Sequence, residues 1–260
     1  MENKNESIIN KNNGKEEEIK KQEINHDIEQ KNEINPENIL YEAKILNVPE
    51  NYEPKNAITF KIIIIGNSGV GKTSITNNAI KNAFYENYRS TIGMEIFSLF
   101  LKIDHKLIKL QIWDTCGQEI YRSLITNFYR NSSLAIIVYS IEKKESFKDI
   151  DMWIKELKVN SSPDIKIILI GNKSDLIDKR EVSYEEGKKF QDDFGFIDFF
   201  ETSAKTGENI KNMFIKAAIV LYEEYINYKD IESRSSYNTF RPGYVLSKRN
   251  VKDKNGNCCG

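Results

Sequence analysis

Cysteine is scarce in this 260-residue chain, and the three present, Cys116, Cys258 and Cys259, exclude a disulfide framework, because two are adjacent at the chain end and the third stands far from them. Histidine is scarcer still. His26 and His105 stand apart with no second ligand at metal-binding spacing, so neither marks a metal site. No apolar stretch has the form of a secretory signal, and none approaches the ~18 residues of a membrane span. Met1-Glu2 offers no myristoylation signal. Basic residues are scattered without the interleaved aromatics of a nucleic-acid surface, which argues against nucleic-acid binding. These absences predict a protein made and kept in the cytosol.

What is present is unevenly distributed. Residues 1–56 are mostly Asn, Glu, Lys and Ile, with 13 acidic and 8 basic side chains, a net −5 that leaves +4 on the rest of a chain of total charge −1. Such a segment, short of aromatics and lacking steady periodicity, cannot bury enough apolar surface to offset its ordering entropy. It reads as a disordered low-complexity extension. Ile19, Ile24, Ile28 and Ile34 are spaced too irregularly to favour a docking helix.

The densest signal lies just beyond. Gly66-Asn67-Ser68-Gly69-Val70-Gly71-Lys72-Thr73-Ser74 matches the phosphate-gripping pattern G-x-x-x-x-G-K-[ST] and follows the β-branched run Lys61–Ile65, a buried strand by composition. Glycines let backbone N–H groups turn inward around an anion, Lys72 adds a point charge, and a helix starting there presents its positive dipole end. Thr73 supplies a hydroxyl for Mg²⁺. Alone, this pattern fits kinases, ATPases and GTPases equally.

Further strands are expected near 96–103, 107–113, 134–140, 166–171 and 198–202, with helical stretches between and after them. The second and third strands join through a tight turn at Asp104-His105-Lys106 and should pair antiparallel; the others alternate with helices and imply parallel crossovers. The expected fold is α/β: a mostly parallel six-stranded sheet with one antiparallel strand and helices on both faces. The last helix, from Glu208 to about Tyr228, places Ile210, Met213, Phe214, Ala217, Ala218 and Leu221 at intervals of three and four, facing the sheet. Trp153, with Ile150, Ile154 and Leu157, reads as a core anchor.

Thr91, Trp113-Asp114-Thr115-Cys116-Gly117-Gln118, Asn172-Lys173-Ser174-Asp175 and Glu201-Thr202-Ser203-Ala204-Lys205 follow in order. The last three sit just past the carboxyl end of an expected strand, where open α/β sheets bind ligands. In these pieces the chain resembles the small Ras-like GTPases, over residues 57–228. The resemblance implies a P-loop NTPase G domain that binds GTP or GDP with Mg²⁺. It implies that Lys72 bridges the β- and γ-phosphates, that Ser68, Gly69, Val70, Gly71 and Ser74 complete the phosphate loop, and that Thr73, Thr91 and Asp114 hold the metal. Gly117 would contact the γ-phosphate and Gln118 would orient the attacking water, so Gln118, Lys72 and Thr91 are the expected catalytic set.

Base choice has an electrostatic logic, because only guanine offers adjacent N1–H and N2–H donors to one carboxylate, here Asp175. A buried charge left unpaired by adenine costs several kcal/mol, on the order of the penalties for unsatisfied charged groups. By the same resemblance, Asn172 braces the loops and accepts from the N7 side, Lys173 lies over the ring, and the Ala204 N–H, flanked by Ser203 and Lys205, meets O6. Phe84 packs against the base.

Ser90–Glu95, Lys109–Glu119, Phe128-Tyr129-Arg130 and the terminal Cys258-Cys259-Gly260 are similar to the Rab branch. That branch implies two geranylgeranyl chains on Cys258 and Cys259, a flexible tether over 229–260, and cycling between cytosol and the cytoplasmic face of an intracellular membrane in vesicle traffic; the resemblance says nothing of residues 1–56. It also implies effectors, an exchange factor, a GTPase-activating protein and a prenyl-binding escort or dissociation inhibitor as partners of a monomer. Departures are visible. Ile96 stands where Rabs usually carry Phe beside Trp113 and Phe128, Cys116 replaces the usual Ala, Ile120 the usual Arg, and Asn131-Ser132 the usual Gly-Ala. Cys116 reads as a small filler. With no arginine finger evident, unassisted hydrolysis should be slow. The rival reading is a GTP-loaded scaffold with little or no hydrolysis; a P-loop kinase would leave Asn172–Asp175 and Ser203–Lys205 without a task.

Overall fold

The computed structural model describes residues 41–49, 52, 54, 56–86, 91, 93–117, 128–234 and 244–245. Its centre is strand β2 (Ile58–Ile65), whose run of isoleucines is buried on both faces, as befits a strand flanked by parallel neighbours and covered by helices. β2 pairs parallel with β4 (Lys106–Thr115) on one side and with β5 (Leu134–Ser140) on the other. β6 (Lys166–Asn172) and β7 (Asp198–Thr202) continue in parallel beyond β5, while β3 (Met94–Ile103) runs antiparallel along β4. The hairpin between β3 and β4 turns through Asp104 at φ 49°, a left-handed position that a short side chain with its own hydrogen-bonding group tolerates.

Among the described residues, two short strands extend this set from six to eight. β1 (Ala43–Ile45) pairs antiparallel with Ile103, Lys102 and Leu101, and Leu46 N–H donates to the Phe100 carbonyl at 2.8 Å. The described residues therefore carry strand already at Ala43, inside the stretch 1–56 expected to be a low-complexity extension. Three residues of alternating exposure are too few to read as a strand amid Asn, Glu and Lys, but the open edge of β3 supplies backbone partners for them. β8 (Tyr244–Val245) pairs antiparallel with Thr59 and Phe60. β2 starts four residues before β5 joins it at Ile62, leaving a stretch of edge that the tail completes. The expectation of one antiparallel strand is corrected accordingly, since the described residues hold three antiparallel pairings; the last helix runs to Arg234, past its expected end near Tyr228.

Helices α1 (Lys72–Lys81) and α5 (Ile210–Arg234) pack together on one face, where the buried stripe Ile210, Met213, Phe214, Ala217, Ala218 and Leu221 meets the sheet and Tyr225 meets Phe60 edge-on. On the other face lie α2 (Lys144–Lys148), α3 (Ile150–Asn160) and α4 (Tyr184–Phe194). Ile63, Ile65, Ala135, Ile137 and Leu169 point to that side, around Trp153 and Cys116. Cys116 is a buried core member, in line with a space-filling role. Ser183 and Glu186 form a reciprocal capping box that fixes the start of α4. Among the described residues, no helix is long and apolar enough to cross a membrane.

The chain leaves β2 toward β3 and β4 on one side and returns to β5 on the other. The reversal of strand order thus lies at β2, and the carboxyl ends of β2, β4, β6 and β7 share one rim of the sheet. That rim is where an open α/β sheet leaves a crevice.

Candidate functional site

A cavity of about 490 Å³ opens on this rim. At one end the loop after β2 enters α1 through Gly71, at φ 100°; a Cβ there would collide with the Asn172 side-chain amide. Lys72 is buried, and its Nζ donates to the carbonyls of Gly66 at 2.7 Å and Asn67 at 2.9 Å. Burial lowers its pKa to about 8, opposed by the nearby Asp114 charge. An ammonium has three donors, so one remains for a ligand. Gly117 lies against this loop, where a Cβ would strike Lys72 Nζ and come within 2.5 Å of the Asn67 carbonyl carbon and the Ser68 nitrogen.

The Thr73 hydroxyl donates to Asp114 Oδ2 and lies 2.8 Å from Thr91 Oγ1. Asp114 is fully buried, and its Oδ1 has no hydrogen-bond partner among the described residues. Burial raises the Asp114 pKa to about 6, against the opposing pull of the Thr73 hydrogen bond and the Lys72 charge. An orphaned carboxylate oxygen beside two hydroxyl oxygens is a set of hard donors that fits a magnesium ion keeping most of its water. The residues present therefore fit the cation that the sequence implies.

The other end is held by protein bonds. Asn172 is buried; its Nδ2 donates to the Val70 carbonyl at 2.8 Å, and its Oδ1 accepts from Thr202 Oγ1 and the Ala204 N–H, both at 3.2 Å. Two expectations change. The Ala204 N–H is directed at Asn172 rather than standing open for O6. Asn172 Oδ1 already has two donors, and N7 of a purine carries no hydrogen to give, so any contact to N7 must come from the second N–H of Nδ2. The bracing role of Asn172 is plain in these bonds, which join the loop after β2 to the ends of β6 and β7.

Ser203 Oγ donates to Asp175 Oδ1 at 2.6 Å and accepts from the Thr206 N–H at 3.1 Å. Ser174 Oγ donates to Glu208 at 2.8 Å, tying the two base-side loops. Lys173 adopts φ 69°, and its ammonium pairs with Glu142.

Ser68, Gly69, Ser74, Phe84, Thr91 and Lys205 all line the cavity, together with Lys173, Asp175 and Ala204. Val70 is buried behind it. Gln118, Cys258 and Cys259 lie outside the described residues. Sequence reasoning missed Glu142, Glu208, Asn67 and Asp149, and took Trp153 for a core anchor alone. Asp149 accepts from Asn67 Nδ2 at 2.5 Å, and Trp153 Nε1 donates to Asn67 Oδ1 at 2.8 Å. Asn67 and Trp153 are 86 positions apart, and no local pattern announces such a pairing. A family model described as Ras family matches residues 61–223, from the middle of β2 into α5.

Proposed function

The chain belongs to the Ras family and is a GTP-binding small GTPase; from that premise we propose that it is a Rab-like switch, which hydrolyses GTP slowly and recruits effectors to an intracellular membrane in vesicle traffic. The observation that carries the switch reading is the convergence on one cavity of Lys72 with Thr73, Thr91 and Asp114 at one end and of Asn172, Asp175 and Ala204 at the other.

Asp175, oriented by Ser203, accepts the paired N1–H and N2–H of guanine. Phe84 and the stem of Lys173 flank the ring. Lys72 turns its remaining N–H to the phosphates, and the absence of a Gly117 side chain lets that backbone approach them closely. Thr73, Thr91 and Asp114 are the residues that would hold Mg²⁺, which when bound offsets the negative charge on the phosphate oxygens. The Cys116 N–H donates to the Gly93 carbonyl at 3.0 Å, so the segment carrying Thr91 and the segment carrying Gly117 are bonded to each other. Loss of the terminal phosphate withdraws contacts from both segments at once, which is how such loops change partner affinity.

The Rab assignment draws support from the surface beside these loops. Ile96 and Trp113 are direct cross-strand partners, and the Trp113 and Phe128 rings lie 5.7 Å apart. Ile96 is 48% exposed, so the apolar trio expected from the sequence is contiguous and accessible at its Ile96 end. Anchoring through Cys258 and Cys259 is the membrane half of the proposal, since two lipid chains hold where one is marginal.

Hydrolysis is tested by single-turnover assays. The wild-type rate should be on the order of 10⁻⁴ s⁻¹, as for a family member without its activating protein, and Gln118→Leu should lower it further; equal rates would strip Gln118 of its role. Anchoring is tested by mass spectrometry of the C-terminal peptide from native cells. Two geranylgeranyl additions are expected, and an unmodified end would leave a soluble GTPase.

A further inference from the structure

Asn67 occupies a position that the phosphate-loop pattern leaves unspecified, yet both its main chain and its side chain are bonded to other parts of the fold. Its carbonyl oxygen accepts from Lys72 Nζ at 2.9 Å, and its carbonyl carbon lies against Gly117. Its side chain points the other way, to the start of α3. There Oδ1 accepts the Trp153 indole N–H at 2.8 Å, and Nδ2 donates to Asp149 Oδ2 at 2.5 Å.

Neither Asp149 nor Trp153 lines the cavity. Trp153 is rooted in the core with Ile150, Ile154 and Leu157, so it offers the loop a fixed point. The polarity is specific: one partner is only a donor, and the other is an acceptor when ionised. A carboxamide satisfies both at once. A carboxylate in place of the Asn67 amide would set two negative charges at hydrogen-bonding distance, and an alanine would remove both the acceptor given to the indole and the donor given to Asp149.

We propose that Asn67 is a positioning residue that clamps the phosphate loop to α3 through Trp153 and Asp149, keeping Lys72 and the loop amides in the posture that receives the nucleotide. The inference rests on reading the cavity as a guanine-nucleotide site and assigns a residue to the upkeep of that site.

The test is the release rate of mant-GDP, a fluorescent GDP, from the full-length protein with Mg²⁺ present. Asn67→Asp should release it about tenfold faster or more, within the range of couplings between groups sharing one hydrogen-bond network. The double variant Asn67→Asp with Asp149→Asn reverses the polarity, because the new carboxylate can accept from both the indole and the new amide. It should return release to within about threefold of wild type. A residue serving stability alone would leave the release rate of the folded single variant at the wild-type value. Asp149→Ala removes the acceptor without adding charge, and should raise release several-fold with the circular dichroism spectrum unchanged. It carries the test if the Asn67→Asp proteins, single and double, fail to fold. Wild-type release from Asn67→Asp, or from Asp149→Ala where the former cannot be made, overturns the clamp, as does an unrescued double variant. A wild-type chain that takes up no mant-GDP refutes the nucleotide reading itself, a result distinguishable from the first two.

Discussion

The two ends of the cavity solve opposite problems. At the base end, before any ligand arrives, Asn172 is bonded to the Val70 carbonyl and the Ala204 N–H, Ser203 to the Thr206 N–H and Ser174 to the Glu208 carboxylate, at 2.8–3.2 Å. Asp175 is already oriented by a hydroxyl. At the phosphate end, Asp114 is buried with one oxygen unpartnered, and Lys72 is desolvated enough to lower its pKa to about 8. On the proposed reading the base end is thus a shape bonded in advance that selects, whereas the phosphate end is an unbalanced set of charges that a polyanion and a cation complete. Specificity and affinity are separated along one groove, and a substitution should reveal which end it touches by what it changes.

The sharpest way to break this contrast is Asp175→Asn. One of the two acceptor atoms becomes an N–H₂ donor facing a guanine donor, so one charge-assisted bond is lost and a donor is left opposed. At roughly 1.5–3 kcal/mol for a hydrogen bond to a charged group, GDP affinity should fall by about 10- to 150-fold. Xanthine carries a carbonyl where guanine has its 2-amino group, so the same variant should bind xanthosine diphosphate more tightly than GDP. Titration calorimetry with both nucleotides decides it. An equal loss for both would mean that the base end acts through charge alone, and that the two ends do not differ in kind.

The legibility of the sequence followed the same division. Strands β2 to β7, the phosphate loop and the three ligand-bearing strand ends could be read because each is announced by residues adjacent in sequence: a β-branched run followed by glycines, or a strand followed by Asn-x-x-Asp. What escaped depends on long-range pairing. β1 is three residues that gain meaning only from the unpaired edge at Leu101–Ile103. β8 depends on the offset between the starts of β2 and β5. Asn67 looks like a spacer until Trp153 and Asp149 are brought to it by α3. The hydrogen-bond directions at Asn172 and Ala204 were missed for a related reason, since a motif names residues and leaves open which atoms are spent on each other.

A smaller effect sharpens the comparison at the phosphate end. Asp114 is an acid whose folded pKa, about 6, lies above its ordinary value near 3.8 because burial disfavours its charge. Below about pH 6 the protonated form therefore dominates in the unliganded protein, and cation binding must expel that proton. The apo fold itself follows the reverse trend at this residue: it is relieved by protonation and loses that contribution as pH rises through about 6. Mg²⁺ affinity, measured through Mg²⁺-dependent slowing of mant-GDP release, should be level above about pH 7 and weaken below about pH 6 toward a limit of about tenfold per pH unit, the signature of one proton. Base selectivity, measured as the GDP to xanthosine diphosphate ratio, should not change over the same interval, because the hydrogen bonds that orient Asp175 and brace Asn172 do not involve Asp114. If the ratio drifted in step with Mg²⁺ affinity, the two ends would be electrostatically coupled, and the groove would act as one site whose selectivity depends on the cation.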